Sequence, residues 1–124
     1  MLRLLFFILD FLLYFNLTQS PMKHVYIPTN RGTKVVLAAN IIRVESSSNY
    51  SKIYFSNEQP LLVAKILHWF EDNLPTDMFC RIHRTHIINR LYVTGIFDSS
   101  KLALSNGDVI QMSRRKKGSY KLSA

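Results

Sequence analysis

Apolar and polar residues alternate over much of the chain from residue 24 onward, a pattern that predicts short β-strands. The segments His24–Pro28 and Thr33–Ala38 have strand character, and the residues between them, Thr29–Gly32, have the composition of a turn. We therefore predict a β-hairpin here. Further strands are predicted at Ile42–Val44, Lys52–Phe55, Leu61–Val63, Phe79–Ile82 and Tyr92–Phe97.

One segment changes to the helical period. Its apolar residues at helical spacing are Val63, Ile66, Leu67, Phe70 and Leu74, and the polar residues that face away from them are Lys65, His68, Glu71 and Asp72. Pro75 ends the pattern, because proline cannot continue a helix. The spacing predicts one amphipathic helix of about three turns, close to the average helix length.

A second hairpin is predicted near the C-terminus, where Leu102–Leu104 and Val109–Met112 flank an Asn106-Gly107 turn. His86–Asn89 fits a strand or a helix equally well. The expected fold class is therefore mainly β with one short amphipathic helix.

Residues 1–17 are almost wholly apolar, apart from Arg3, Asp10 and Asn16. A membrane span needs about 20 apolar residues, and this run is shorter with a carboxylate at its centre. A signal peptide would use Arg3 as its basic region, but Asp10 and the lack of an Ala-type cleavage site fit poorly. We favour residues 1–21 as a leader outside the domain, either a misassigned start or a membrane anchor, with residues 22–124 as the domain.

Positive charge is concentrated in the C-terminal half. The formal net charge is +8, and residues 80–124 hold nine basic side chains against two acidic ones. Such a localised field attracts polyanions, whose condensed counterions are released on binding. DNA, RNA and anionic membranes are the candidate partners.

Three segments could bind such a partner. The first is Phe79–Arg90, which has no acidic residue. Its polar and basic residues are Arg81, His83, Arg84, Thr85, His86, Asn89 and Arg90. Arginine suits guanine edges and phosphates, because its planar fork donates two hydrogen bonds at once. The second is the basic run Ser113–Lys117, and the third is the polar loop Ser46–Lys52. Taken alone, the second is as often a solvated end as a binding site, and the third is simply a loop.

Catalysis is not expected from this sequence. It contains no P-loop, no nucleophile elbow and no dinucleotide fingerprint. His83 and His86 lack a third residue at metal-ligand spacing, so we expect no cofactor, no metal and no small-molecule substrate. The lone Cys80 cannot form an internal disulfide, which fits a reducing compartment such as the cytoplasm.

Three blocks together resemble the LytTR-type DNA-binding domain over about Lys34–Lys121. Ile42–Tyr54 looks like the opening block of that family. Phe79–Asn89 is similar to its central F-x-R-x-H-R-S-x-x-V-N signature, with Thr85 for Ser and Ile88 for Val. The last block, Asn106–Arg115, matches the closing segment that ends in S-R-R.

The resemblance implies a compact β domain whose loops, rather than a recognition helix, enter successive major grooves. It implies base contacts by Arg84, Arg115 and Ser51. It implies contacts to the DNA backbone by Lys52, Thr85, Arg114, Lys116 and Lys117. His83 and Asn89 either contact DNA or stabilise the turn that presents Arg84.

We therefore predict a DNA-binding transcription regulator that acts in the cytoplasm. The resemblance implies double-stranded DNA with paired repeats as the target, two protomers on each site, and room for a membrane-bound regulatory partner. The alternative is a membrane-associated accessory protein, with residues 1–17 in the bilayer and the basic half on anionic headgroups. RNA binding through Tyr50, Tyr54 and Phe55 is a third interpretation, but no RNP signature is present.

Overall fold

The computed structural model describes residues 23–114, and this range contains ten β-strands and one α-helix. The strands are β1 His24–Thr29, β2 Gly32–Leu37, β3 Ile41–Ser47, β4 Tyr50–Phe55, β5 Leu61–Val63, β6 Phe79–His83, β7 His86–Asn89, β8 Val93–Phe97, β9 Lys101–Leu104 and β10 Val109–Gln111. The helix α1, Leu67–Asn73, lies between β5 and β6, and short 3-10 helices cover Ala38–Asn40 and Arg90–Tyr92. The predicted fold class is confirmed. The predicted leader, residues 1–21, lies outside the described residues.

Every strand pair in this range is antiparallel. The largest sheet has five strands in the order β5-β4-β3-β7-β6, so β3 is its central strand. Strands β8, β9 and β10 form a three-stranded sheet, and β1 pairs with β2.

Both predicted hairpins are confirmed, and each has a glycine in the left-handed region in its turn or directly after it. Gly32, with φ 103°, follows the turn between β1 and β2, and Gly107, with φ 94°, lies between β9 and β10. Glycine adopts this conformation without the steric cost that a Cβ atom imposes, which explains its place at both turns.

The five-stranded sheet is covered on both faces. Successive side chains of a strand point to opposite faces, and Ile42 and Val44 of β3, although two positions apart, belong to different clusters because a bulge interrupts the register between Ile41 and Arg43. One buried cluster joins the sheet to the β1–β2 hairpin and α1 through residues that include Val25, Ile27, Val36, Leu67 and Phe70. The other joins it to the three-stranded sheet through Ile82, Ile88, Leu102, Leu104 and Ile110.

The helix is shorter than the sequence predicted. Val63 belongs to β5, where it pairs with Ser51 of β4, and Ile66 is 58% exposed with an extended backbone (φ −80°, ψ 165°). Because Val63, the first residue of the apolar pattern, pairs with β4, the helix α1 begins only at Leu67. Its end agrees with the prediction, because Leu74 is extended as the residue before a proline tends to be. No helix within residues 23–114 is long and apolar enough to cross a membrane.

Candidate nucleic-acid interface

The turn between β6 and β7 presents Arg84 to solvent. Arg81 braces this turn from its own strand, since its Nη2 donates to the Arg84 carbonyl oxygen across 2.8 Å. The other terminal nitrogen of Arg81, Nη1, forms an ion pair with Glu71 of α1. Arg81 was part of the basic segment noted in the sequence but was not among the predicted contact residues. The F-x-R part of the motif was the signal that could have identified its bracing role.

The turn between β3 and β4 lies beside the β6–β7 turn. The Ser46 amide donates to the Thr85 carbonyl oxygen across 2.9 Å, which extends the pairing of β3 with β7 to the turn. Ser48 in the β3–β4 turn has φ 57°, a left-handed conformation that reverses the chain between the two strands. The hydrogen bond from Ser46 to Thr85 holds the two turns side by side.

The segment after β10 reaches the same edge. The Ser113 amide donates to the Ile82 carbonyl oxygen across 2.8 Å, just before His83 and the turn, and the exposed Arg114 follows. We call the β3–β4 turn, the β6–β7 turn and Ser113–Arg114 together the three-segment edge. The described parts of the three predicted segments, Ser46–Asn49, Arg84–Thr85 and Ser113–Arg114, thus lie at one edge. Arg115, Lys116 and Lys117 lie outside the described residues.

A buried arginine anchors the side chains behind this edge. Arg43 of β3 donates from Nε to Asp108 Oδ2 across 2.9 Å, and its guanidinium stacks 3.7 Å above the centroid of the Tyr54 ring. Burial would raise the pKa of Asp108, but hydrogen bonds from Arg43 and Asn106 outweigh it and hold that pKa below its ordinary value. The β9–β10 turn is thereby tied to the central strand.

Glu45, two residues along β3, links this arginine to the β6–β7 hairpin. Its Oε2 accepts from the Tyr54 hydroxyl across 3.1 Å and lies 3.6 Å from Arg43 Nη1, while its Oε1 lies 3.3 Å from His86 Nε2. Burial favours the neutral acid, but the Tyr54 hydrogen bond and the charges of Arg43 and His86 together lower the pKa of Glu45. Glu45 is therefore a carboxylate at neutral pH.

Hydrogen bonds within the β6–β7 turn involve two histidines and a threonine. The Thr85 amide donates to His83 Nδ1 across 3.2 Å. The Thr85 hydroxyl oxygen lies 2.7 Å from His83 Nδ1 and 2.9 Å from His86 Nδ1. Burial lowers the pKa of His86, and Glu45 only partly offsets this effect. His83 therefore bonds the turn that presents Arg84, as one of its two predicted roles requires.

Two predicted site residues are buried. Ser51 is fully buried and its hydroxyl donates to the Lys65 carbonyl oxygen across 2.6 Å, so the predicted base contact by Ser51 does not fit its placement. Its side chain points into the protein and bonds the segment before α1. Asn89 is also fully buried and bonds the main chain of Ile41 and Leu91. Its side chain thus bonds β3 and the 3-10 helix after β7, not the turn that carries Arg84.

Lys52 and Thr85, which are predicted to contact the DNA backbone, lie near the protein surface. Lys52 is half-buried, pairs in register with Glu45, and has its Nζ 5.2 Å from the Tyr54 ring centroid. Thr85 is half-buried in its turn. Within residues 23–114 no group of three or more His, Cys, Asp or Glu side chains is placed to hold a metal ion.

The fold and this edge define a class of mainly β protein that presents basic side chains from turns instead of from a helix. The model of the LytTr DNA-binding domain family matches residues 31–122. The chain therefore belongs to the LytTR DNA-binding domain family, and the resemblance noted in the sequence is confirmed.

A solved structure has a similar fold. It is the LytTr DNA-binding domain of a methyl-accepting/DNA response regulator from Bacillus cereus, and it superposes with a TM-score of 0.66 at 23% sequence identity. The match covers 77% of this chain and 91% of that one. None of the curated proteins compared with the chain matches it.

Proposed function

We propose that this protein is a sequence-specific transcription regulator that reads successive major grooves of duplex DNA with side chains of the three-segment edge and of the basic run that follows it. Its membership of a DNA-binding domain family supports this proposal. The observation that carries it is the convergence of three separate chain segments through two main-chain bonds, Ser46 to Thr85 and Ser113 to Ile82. Loops joined in this way can present several cations to DNA without a recognition helix.

The proposed contacts divide into two kinds. Arg84 reads bases, since it is exposed at the tip of a braced turn, and Arg115 does so from the basic run. Contacts to the DNA backbone are assigned to Lys52, Thr85, Arg114, Lys116 and Lys117. Ser51 is left out, because its hydroxyl already serves Lys65.

The proposal also concerns the setting in which the protein acts. Two protomers bind paired repeats in the cytoplasm, with no catalytic step and no small-molecule substrate. A membrane-bound regulatory partner is compatible with this scheme. The charge distribution supports the choice of partner, because the seven excess cations between residues 80 and 124 favour a polyanion.

Selection from a random-sequence duplex library tests the proposal. The full chain is titrated by fluorescence anisotropy at low and near-physiological salt, and the retained duplexes are sequenced. We expect an enriched, paired motif. Arg84→Ala should lose about 1–3 kcal/mol of discrimination at one base position, whereas Lys117→Ala should weaken all duplexes similarly and reduce the salt slope by about one.

Two results of this experiment would contradict the proposal. Interchangeable effects of the two substitutions would contradict the division into base and backbone contacts. Steeply salt-dependent binding that enriches no motif would mean that the basic half is a general polyanion patch. Binding to anionic vesicles would then be measured, to test the membrane-associated alternative.

A further inference from the structure

His86 stands between the central strand and the turn that carries Arg84. It pairs in register with Glu45 across β3 and β7. Both of its ring nitrogens have polar neighbours, since Nε2 lies 3.3 Å from Glu45 Oε1 and Nδ1 lies 2.9 Å from the Thr85 hydroxyl oxygen. The ring is therefore in a position to connect Glu45 to the turn.

The donors and acceptors constrain the directions of the hydrogen bonds. The Thr85 amide donates to His83 Nδ1, so that nitrogen is an acceptor without a proton. The Thr85 hydroxyl has one proton and lies 2.7 Å from this nitrogen and 2.9 Å from His86 Nδ1, so it donates to one of the two. If it donates to His83, its oxygen accepts from a protonated His86 Nδ1; if it donates to His86, that nitrogen carries no proton.

The other side of the His86 ring faces Glu45 and requires a proton on Nε2. Glu45 is a carboxylate and can only accept, so the contact with His86 Nε2 is a hydrogen bond only if Nε2 carries a proton. A neutral imidazole has one N–H, whereas an imidazolium has two. A neutral ring with its proton on Nε2 therefore donates to Glu45 and accepts from the Thr85 hydroxyl. A protonated ring also donates to the Thr85 oxygen, which turns the hydroxyl proton toward His83.

We propose that His86 is a positioning residue, which connects Glu45 to the β6–β7 turn and takes up a proton when the three-segment edge binds DNA. This inference rests on the proposed function. In the free protein, burial opposes the charge on His86. Bound phosphates add negative charge beside the turn, and a nearby opposite charge favours a protonated ring.

The charges that face His86 come from several elements and act in both directions. Glu45 favours protonation, and Arg43 on the same strand and His83 on β6 oppose it. Asp108 in the β9–β10 turn is near enough for its own titration to sense His86. On β4, Tyr54 bonds Glu45 and Lys52 pairs with it in register. Glu45 is the nearest opposite charge and is thus the group that makes proton uptake accessible.

The experiment measures the affinity of the full chain for its selected duplex and for a scrambled duplex between about pH 6 and pH 8, the range in which histidine titrates. Three variants are compared with the wild type. His86→Gln keeps hydrogen-bonding capacity without titrating, His86→Phe removes both, and His68→Gln is the control. His68 is exposed on α1, where it pairs with Asp72.

We expect the wild type to bind its selected duplex more tightly as the pH falls, with a slope of up to about tenfold per pH unit for one proton taken up. His68→Gln should keep this slope, and both His86 variants should lose it. His86→Gln should discriminate between the two duplexes better than His86→Phe. If His86→Phe does not fold, Glu45→Gln takes its place and should flatten the slope.

Each contrary outcome has a separate meaning. A slope that survives in His86→Gln would assign the proton to another group, such as His83, and overturn the inference. A flat wild-type profile, or equal discrimination by the Gln and Phe variants, would also overturn it. If the wild type prefers no sequence at any pH, the proposed function itself fails.

Discussion

The side chain of Asn89 holds the central strand, since its Nδ2 donates to the Ile41 carbonyl oxygen across 2.8 Å. Its Oδ1 accepts from the Leu91 amide across 2.9 Å. One fully buried amide therefore bonds the start of β3 and the 3-10 helix after β7 at the same time. This arrangement explains why an amide side chain lies in an otherwise apolar layer.

Replacing Asn89 with Ala should lower the free energy of unfolding by about 1–3 kcal/mol, because the buried Ile41 carbonyl and the Leu91 amide lose their partner. Urea unfolding followed by circular dichroism measures this change. Asn57→Ala is the matched control, since Asn57 is exposed between β4 and β5 and should change stability by less than about 0.5 kcal/mol. Equal effects of the two substitutions would contradict the structural role.

Ser51→Ala should affect stability and leave the DNA motif intact. The lost hydroxyl is buried against the Lys65 carbonyl oxygen, and a hydrogen bond of this kind contributes about 1 kcal/mol. Arg84→Ala is the opposite case, because Arg84 is exposed and its substitution should change the selected motif with little effect on unfolding. A changed base preference in Ser51→Ala would restore Ser51 to the base-contact set.

Asp108→Ala should destabilise the fold by about 1–3 kcal/mol, since it leaves the buried Arg43 guanidinium without its hydrogen-bonded carboxylate. Asp72→Ala removes a carboxylate from an exposed pair on α1 and should change stability by less than about 1 kcal/mol. Thermal or urea unfolding compares the two. The double variant Arg43→Met, Asp108→Ala should recover part of the loss, because the buried charge is removed with its partner. Additive losses in the double variant would contradict this coupling.

Acid should destabilise the protein in two stages. The pKa of His86 is lowered from its ordinary value of 6.5, so its neutral ring favours the folded state and that stability is lost as the pH falls below 6.5. The pKa values of Glu45 and Asp108 are lowered from 4.5 and 3.8, so their contributions are lost below those values. In each case the unfolded chain binds more protons than the folded one.

Urea unfolding at a series of pH values measures both stages. His86→Gln should remove the upper stage and retain the lower one. A free energy of unfolding that rises as the pH falls from 6.5 to 4.5 would mean that Glu45 outweighs burial at His86. The same proton is thus expected to weaken the fold and to strengthen DNA binding.

The fold was largely predictable because most of its elements are local. Alternation and turn glycines identify the two hairpins, and Gly32 and Gly107 occupy the conformations that the turns require. The predicted start of α1 was wrong, because Val63 fits a helical pattern in the sequence but pairs with Ser51 in the sheet. The segment His86–Asn89 was ambiguous because its strand character depends on β3, which is distant in sequence.

The candidate site was predictable in its segments but not in the roles of individual side chains. The basic residues of Phe79–Arg90 identify the turn with Arg84 from composition and motif alone. The burial of Ser51 follows from the register of β4 with β3 and β5, and the contact of Glu45 with His86 follows from that of β3 with β7. Neither register can be derived from local sequence, because it is set by the packing of strands that are far apart.

The position of β3 in the sheet also constrains the order in which the protein can form during synthesis. One neighbour, β4, follows β3 directly through a short turn. The other neighbour, β7, in which Ile87 pairs with Val44, comes much later in the chain, after β5, α1 and β6. A nascent chain that ends before β7 leaves the inner strand of the sheet with an open edge of unpaired amides and carbonyls, a template for pairing with other chains. The central strand β3 therefore keeps this open edge until His86–Asn89, the strand that follows Arg84, has been synthesised.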